Sequence, residues 1–368
     1  MKKLVHTPDG VRDIYGEEFQ RKLTLEKKVK DVIRLYGFDD IQTPTFEYFD
    51  VFSKEIGTTP SKDLYKFFDK DGNTLVLRPD FTPSIARCVA KYFDEETKPI
   101  RLTYSGNTFI NNSALQGKLK EVTEVGCELM NDDSAEADAE LINLVIDCLL
   151  ASGLKEFQLV LGHIGFFKGL CEAAGIRDED ELTLREAISS KNSFMAGEML
   201  KEFNCSPELT EQFKYAIDLT GDPSEVFELK DRITNKRSND AILRLEKVYE
   251  LLKLYGHEKF ISIDLGILSK FNYYTGIIFK GYTYGIGDVL IKGGRYDRLL
   301  ESFGSSKPAI GFMIVIDDLM MALSRQKIEV NTGYEKVVVT YNDQNYADKL
   351  KEIIELRKEG KAVVPVRE

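Results

Sequence analysis

The stretch from Leu268 to Asp297 reads LSKFNYYTGIIFKGYTYGIGDVLIKGGRYD, and it decides how the rest of the chain is interpreted. It holds five tyrosines and six glycines and ends in Gly-Gly-Arg-Tyr-Asp, which predicts a turn. Its apolar runs, separated by glycine and polar residues, predict a pair of strands that line a polar pocket. The stretch contains no histidine, cysteine or serine–base pair that could perform chemistry on a bound molecule. It therefore predicts a binding site and leaves open whether any reaction takes place there.

Composition places the chain among soluble globular proteins. It has 368 residues, 43% hydrophobic and 30% charged, a length that predicts two or three domains. There is no apolar run of about 18 residues and no apolar segment behind the lysines at the N-terminus, so we expect a cytoplasmic protein. The net charge of −11 argues against a broad nucleic-acid surface, although a single basic face is compatible with it.

Cysteine and histidine usage argues against a metal site. The five cysteines are scattered, odd in number and without a CxxC pair, so we expect reduced side chains packed as small hydrophobic groups. Three histidines leave little scope for a histidine-based metal site or hydrolase. We expect no metal and no cofactor.

The order of helical and strand patterns predicts a mixed, mainly antiparallel sheet with a helical insertion. Residues 17–36 have helical spacing before Gly37, and a hairpin is predicted to turn at residues 70–73. Two long strand patterns flank the loop at 111–120, and Asp133-Ser134 is typical of a helix start. Everything from about 165 to 256 has a helical pattern.

After the insertion, three strand patterns and a final helix near Ile316 are predicted between 259 and 324. A polar linker at 326–334 then leads into a β-α-β pattern. We therefore predict two units, a core at 1–325 that contains the insertion at about 165–256, and a linker with a partial β-α-β segment at 326–368.

Five motifs in the right order resemble the core of a class II aminoacyl-tRNA synthetase, specifically histidyl-tRNA synthetase. The resemblance covers roughly residues 5–325. Its motifs are YGFDDIQTPTFE with Pro44, LRPDFT at 77–82, the strand–loop–strand from Tyr104 to Glu128, FNYYTG at 271–276, and GGRYD followed by AIGFMIVIDDL. The fold it implies is α+β, an antiparallel synthetase-like sheet flanked by helices, with a helical insertion and a small C-terminal β-α-β segment resembling part of an anticodon-binding domain.

Three positions depart from the synthetase pattern. The resemblance implies arginines where this chain has Ile110, Ser269 and Asp318. Arginine suits these positions because its planar fork bonds phosphate through two donors and stays charged. Removal of one such donor costs about 3–4 kcal/mol of transition-state stabilisation. We therefore expect no aminoacylation and no catalytic residues.

The amino-acid half of the pocket is better preserved. The resemblance implies that Asp80 and Thr82 hold an α-amino group, that Glu128 faces an imidazole, and that Tyr273 and Tyr274 form a wall. Glu124 stands where the family has a glutamine. Three carboxylates with no arginine among them favour a cationic ligand, and histidine fits, although its carboxylate has no obvious arginine partner. The implied histidine pocket consists of Asp80, Thr82, Glu124, Glu128, Tyr273 and Tyr274.

A synthetase-like core with lost ATP arginines is similar to the histidyl-tRNA synthetase-like regulatory subunits of ATP phosphoribosyltransferase. That resemblance implies a non-catalytic subunit in histidine biosynthesis. It would activate a short catalytic subunit and help mediate feedback inhibition by histidine, its allosteric ligand. It further implies a homodimer, formed through residues near 30–60, within a hetero-octamer, and no tRNA or membrane partner.

Two other functions stay open at this point, a paralogue that binds another amino acid or a tRNA-like partner, and a scaffold that binds no ligand. Plainer structural interpretations also stay open. Tyr273 and Tyr274 would be strand residues packed on a core, Glu124 and Glu128 a solvated pair, and Lys118 and Lys120 part of a solvated loop. Gly293-Gly294 would only turn the chain, with Arg295 and Asp297 as a structural ion pair.

Overall fold

The computed structural model describes residues 5–52, 59–112, 118–269 and 273–368. Residues 113–117 of the predicted loop, and Phe271 and Asn272 of the FNYYTG motif, lie outside the described residues. The helices are α1 (Gly16–Leu35), α2 (Thr82–Tyr92), α3 (Ala135–Ala151), α4 (Ile164–Ala174), α5 (Asp178–Ser189), α6 (Ser193–Glu202), α7 (Pro207–Asp218), α8 (Pro223–Phe227), α9 (Lys236–Tyr255), α10 (Ile316–Arg325) and α11 (Tyr346–Lys358).

The strands form one large sheet and two small ones. They are β1 (Asp39–Asp40), β2 (Phe46–Tyr48), β3 (Lys66–Phe68), β4 (Thr74–Leu77), β5 (Ile100–Phe109), β6 (Glu121–Met130), β7 (Phe157–His163), β8 (Thr220–Gly221), β9 (Ile261–Asp264), β10 (Ile277–Thr283), β11 (Ile291–Arg295), β12 (Ala309–Val315), β13 (Lys336–Tyr341) and β14 (Ala362–Arg367). The large sheet has the order β1-β5-β6-β12-β11-β10-β7-β9-β8. Among the described residues of the large sheet, the β1–β5 and β7–β9 pairs are parallel and the other pairs are antiparallel, which confirms the mixed, mainly antiparallel α+β prediction.

Local signals explain where the main helices begin and end. α1 ends before Gly37, which has φ of 77° and donates its N–H to the carbonyl of Arg34, as a C-terminal glycine does. The hydroxyl of Ser134 accepts a hydrogen bond from the N–H of Ala137 and so caps the start of α3. Both ends agree with the pattern in the sequence.

The large sheet has one apolar face and one partly polar face. Alternate residues of β6, including Val125, Cys127 and Leu129, belong to the main core together with α1, α3 and α10. The opposite face is covered at one end by α2, in a second cluster that includes Phe81 and Tyr104. The rest of that face is polar, and it positions the site described below.

Between residues 259 and 324 the prediction of three strands is wrong. The described residues of this range form four strands, β9, β10, β11 and β12. The glycine pair also does not form the predicted turn, because Gly293 and Gly294 lie inside β11. A Cβ at Gly293 would come within 2.3 Å of the Phe279 ring, and one at Gly294 within 2.7 Å of the Tyr274 ring. Glycine is required there because two aromatic rings lie directly over the strand.

Helices α4 to α9 occupy residues 164–255 and are interrupted by the short strand β8. Their apolar residues join the main core. The tail forms a separate two-stranded parallel sheet, β13–β14, with α11 packed on one face around Val339, Ile353 and Val363. Among the described helices, none is long and apolar enough to cross a bilayer.

Candidate functional site

Strand register places the predicted carboxyl residues on the polar face of the large sheet. Glu128 of β6 pairs with Gly311 of β12, and Glu124, four residues earlier, pairs with Val315. Residues two and four apart on a strand share a face, so Glu124 and Glu128 point the same way. Tyr104 of β5 lies opposite Gly126, between the two glutamates.

Glu128 lies at the bottom of the site. Its side chain is 1% exposed and accepts hydrogen bonds from the hydroxyls of Tyr296 and of Thr82, the latter at 2.9 Å. Burial raises its pKa to about 8, although both hydroxyl donors act in the opposite direction. A Cβ at Gly311 would stand 1.6 Å from Oε2 of Glu128, so only glycine leaves room for this carboxyl group.

Thr82 links Glu128 to Asp80 at the start of α2. The Thr82 N–H donates to Oδ1 of Asp80 at 3.0 Å while its hydroxyl donates to Glu128. The carboxylate of Asp80 therefore satisfies a free N–H in the first turn of the helix.

Glu124 is the second buried carboxyl group, at 4% exposure. It accepts a hydrogen bond from the hydroxyl of Thr108 at 3.0 Å. Burial, followed by the negative charge of Asp80, raises its pKa to about 8, while Thr108, Lys292 and Arg78 act to lower it. The interpretation of Glu124 and Glu128 as a solvated pair is therefore wrong, because both are buried.

Arg78 corrects the prediction that no arginine stands near these carboxyl groups. It lies within electrostatic reach of Glu124, but its Nε and Nη1 donate to backbone carbonyls. Nε binds the carbonyl of Asn107 at 2.9 Å, and Nη1 binds the carbonyl of Thr43 at 3.0 Å. The guanidinium also stacks on Phe81, 4.0 Å from the ring centroid. Arg78 thus joins segments of backbone beneath the site.

Tyr273 and Tyr274 lie before β10 rather than in it, so their interpretation as strand residues is wrong. Their ring centroids are 4.2 Å apart, and Tyr273 also makes an edge contact with Tyr296 at 6.0 Å. Burial, together with the charges of Asp80 and Glu128, raises the pKa of Tyr274 above its usual value. The structure therefore brings all six predicted pocket residues together.

A buried ion-pair network is bonded to the segment that carries Tyr273, Tyr274 and Thr275, called the tyrosine loop below. Thr275 donates its hydroxyl to Asp297 at 2.9 Å and its N–H to the carbonyl of Arg295 at 2.8 Å. Arg295 donates to Asp297 and, through Nε and Nη2, to Oδ1 of Asp138 at 2.9 and 2.6 Å. Arg244 of α9 donates to the other oxygen of Asp138 at 2.7 Å. The structural pairing of Arg295 with Asp297 is confirmed, and it extends to the helical insertion.

The three positions without the expected arginine have different surroundings. Ile110 continues from β5 and donates its N–H to the carbonyl of Lys120. Ser269 is buried, at 8% exposure. Burial raises the pKa of Asp318, as do Asp288 and Asp317, whereas Lys292 and Lys118 act to lower it. A carboxyl group therefore occupies the position where the resemblance implies a cation.

Sequence reasoning missed several contributors. Tyr296 was within the quoted GGRYD motif, but nothing in the sequence showed that its hydroxyl reaches Glu128. Lys292, two residues before Gly294, required strand register to place it on the pocket face. Lys118 is half exposed, as expected of a solvated loop, but it also pairs with Asp288. Within the described ranges, no group of three or more His, Cys, Asp or Glu side chains could hold a metal ion.

Comparisons of this sequence with known proteins find histidyl-tRNA synthetase-like proteins and regulatory subunits of ATP phosphoribosyltransferase. A family model described as histidyl-tRNA synthetase matches residues 10–319. The chain is 39% identical to the ATP phosphoribosyltransferase regulatory subunit of Acetivibrio thermocellus, over 98% of this chain and 86% of that protein. It is 41% identical to the protein of the same name from Ruminiclostridium cellulolyticum, over 87% of this chain and 77% of that one.

Solved structures show the same similarity. A Bacillus halodurans structure, described as an ATP phosphoribosyltransferase regulatory subunit/histidyl-tRNA synthetase, superposes with a TM-score of 0.89 at 32% identity. The match covers 99% of this chain and 93% of that one. The histidyl-tRNA synthetase of a Nostoc species has a TM-score of 0.82 at 21% identity, over 99% of this chain and 86% of that one, which shows a common fold.

Proposed function

The chain belongs to the family of ATP phosphoribosyltransferase regulatory subunits, and from this premise we propose that it activates a short catalytic subunit and helps mediate feedback inhibition by histidine. It would do so as a non-catalytic subunit in histidine biosynthesis. One observation carries the proposal: Glu128 is buried and hydrogen-bonded to Thr82 and Tyr296, while Ile110 and Asp318 stand where the resemblance implies the cations that ATP would need.

In this proposal histidine binds among Asp80, Thr82, Glu124, Glu128, Tyr273 and Tyr274. Glu128 already accepts two hydroxyl donors, which fixes the orientation of its carboxyl group for an imidazole N–H. Asp80 and Glu124 would receive the ligand's ammonium group. A buried carboxyl group with no basic side chain bonded to it gains from a cationic ligand, because the charge that arrives offsets the cost of ionising in a low-dielectric site.

Adenylation would be absent for an electrostatic reason. Asp318 puts a carboxyl group where the resemblance implies an arginine, and Asp288 and Asp317 lie near it, so a phosphate at this position would lack its bidentate donor and meet a negative charge. Ile110 offers a phosphate no side-chain donor. The chain would therefore bind an amino acid without activating it.

A subunit that only binds can still regulate. Histidine would have to bind one conformation of the complex better than another, and the catalytic subunit would in return change the affinity for histidine. The Thr275–Asp297–Arg295–Asp138–Arg244 network supports this proposal because it links the tyrosine loop to α9.

For the assembly, the proposal includes a homodimer formed through residues near 30–60 within a hetero-octamer, and no tRNA partner. Phe46 and Tyr48 of β2 support self-association, since their side chains are 53% and 57% exposed and share one face. The proposed division is a synthetase-like core at 1–325, with the helical insertion at about 165–256, and a linker with the β-α-β segment at 326–368.

The test is an assay of phosphoribosyl-ATP formation from ATP and phosphoribosyl pyrophosphate. A short catalytic subunit would be measured alone, with this chain, and with this chain plus histidine. We expect activity that requires the chain and falls as histidine is added, and we expect Glu128→Gln to reduce the response to histidine. Glu136→Gln, an exposed site on α3, is the control and should behave as wild type. Activity that is the same without the chain would contradict the proposal.

A further inference from the structure

We propose that Lys292 binds the carboxylate of the amino acid held in the pocket, an inference that rests on the proposed function. A zwitterionic ligand needs a cation at one end of its site, and none has been assigned above. Three observations point to Lys292. Its place in the sheet puts it on the pocket face, its amino group has no partner among the described residues, and Arg78, Arg295 and Lys118 are already bonded to other groups.

Strand register places Lys292 on the pocket face. It pairs with Met313 of β12, and Met313 pairs with Gly126 of β6, which lies between Glu124 and Glu128. Neighbouring strands are about 4.8 Å apart, so the Cα atoms of Lys292 and Gly126 are separated by about 10 Å. The flexible four-carbon stem of lysine can lean across part of this distance and leave room for a small ligand in between.

The amino group of Lys292 is available for a ligand. Its side chain is exposed, and within the described part of the chain it forms no hydrogen bond or ion pair. Its charge is nevertheless felt at the pocket, because it acts to lower the pKa of Glu124 and of Asp318.

Three other cations of this region are already engaged. Arg78 binds backbone carbonyls, Arg295 binds Asp138 and Asp297, and Lys118 pairs with Asp288. Lys280 of β10 lies directly opposite Lys292 but one strand farther from the glutamates. The charges that act on Lys280 are those of Lys292, Asp264 and Asp288, and not that of Glu124.

The arrangement therefore has two ends of opposite character. Glu124 and Asp80 suit an ammonium group, and Lys292, two strands away on the same face, suits a carboxylate. A free α-amino acid matches both ends, whereas an amine without the carboxylate matches only one. Lys280, unpaired among the described residues and half-buried beside Lys292, adds positive potential at the carboxylate end.

The experiment measures the affinities of L-histidine and L-histidinol by calorimetry. Histidinol carries a hydroxymethyl group in place of the carboxylate. To the wild-type protein we expect histidine to bind about 10-fold to 100-fold more tightly than histidinol, a difference that corresponds to one charge-assisted hydrogen bond. In Lys292→Met, the affinity for histidine should fall by the same factor, while the affinity for histidinol should change little.

Three further proteins complete the design. Lys292→Gln should repeat the result of Lys292→Met, and Lys292→Arg, which keeps the charge, should restore most of the affinity for histidine. Lys280→Met removes a cation one strand away. It should lower the affinity for histidine by no more than about 3-fold, because it changes only the electrostatic potential at the site and removes no direct contact.

The outcomes separate this inference from the function it rests on. If wild type does not bind histidine, the proposed sensing of histidine fails, and the role of Lys292 fails with it. If wild type binds histidine and Lys292→Met binds it equally well, only the role of Lys292 is overturned. Equal losses in Lys280→Met and Lys292→Met would also overturn it, because they would indicate a general field instead of a direct contact.

Discussion

Two groups of buried carboxyl residues lie near the same sheet and are bonded in opposite ways. Asp138 receives three donors from Arg295 and Arg244, so its charge is matched by basic side chains. Within the described part of the chain, Glu124 and Glu128 receive only hydroxyl donors. A carboxyl group that is already paired with basic side chains gains little from a further cation. We therefore assign Asp138 to stabilisation of the fold, and Glu124 and Glu128 to binding of a ligand.

The state of Arg295 supports this division. Burial acts to lower its pKa, but Asp138 and Asp297 outweigh that effect, and the pKa is raised. Burial also raises the pKa of Asp138, against the opposite effects of Arg295 and Arg244, so the hydrogen-bond geometry, with three N–H donors on this carboxyl group, identifies the network as an ion pair.

The largest effect is expected from breaking the paired group. Asp138→Ala leaves Arg295 buried without its main partner, and loss of one member of a buried pair costs about 3–5 kcal/mol in the free energy of unfolding. Glu128→Gln removes no basic partner and should cost less than about 1 kcal/mol. Urea unfolding of the two variants measures this difference, and equal losses would remove the distinction between the two groups.

The next effect is the pH dependence of Glu124. Its pKa is raised from 4.5 to about 8, so the folded state holds a proton that the unfolded state has already released. Its contribution to the free energy of unfolding therefore falls as the pH rises from about 4.5 to about 8 and is constant above that. Glu124→Gln should gain stability relative to wild type across this window, by at most about 1.4 kcal/mol per pH unit.

The measurement for Glu124 is urea unfolding of wild type and Glu124→Gln at a series of pH values from 5 to 9. The difference between the two proteins isolates this carboxyl group from the other titrating residues. If the difference in the free energy of unfolding between the two proteins does not change with pH, Glu124 ionises normally. The contrast between Glu124 and Asp138 would then be contradicted.

The smallest effect is expected at the exposed pair of Lys118 and Asp288. Both side chains are about half exposed, 51% and 45%, so solvent screens their attraction. Lys118→Ala should change the free energy of unfolding by about 0–1 kcal/mol. A thermal melt of this variant serves as the exposed reference for the two buried groups, and a loss near that of Asp138→Ala would show that burial does not decide the ranking.

The fold, and the placement of Glu124 and Glu128 on one face, could be predicted because both depend on patterns along the chain. Ser134 and Gly37 mark helix ends by local chemistry, and Glu124 and Glu128 share a face because they are four apart on a strand. The pocket residues Asp80 and Thr82 were found by resemblance to a family motif, and the Thr82–Glu128 hydrogen bond agrees with their placement.

What could not be predicted depends on contacts between distant segments. Gly293 and Gly294 suggested a turn, but the rings of Phe279 and Tyr274 impose glycine inside a strand. Arg78 looked uninvolved because its carbonyl partners at Thr43 and Asn107 lie about thirty residues away in either direction. The place of Lys292 follows from the register of three strands, which no local pattern specifies.

Gly311 also constrains how this protein can mutate. A side chain there would bring its Cβ within 1.6 Å of Oε2 of Glu128 and within 2.8 Å of the carbonyl oxygen of Cys127. A smaller residue at 128 would relieve only the first of these contacts, because the carbonyl belongs to the backbone of β6. Random mutagenesis should therefore recover changes at residue 128 while glycine stays at 311, and an effort to evolve a new ligand preference should begin at residue 128.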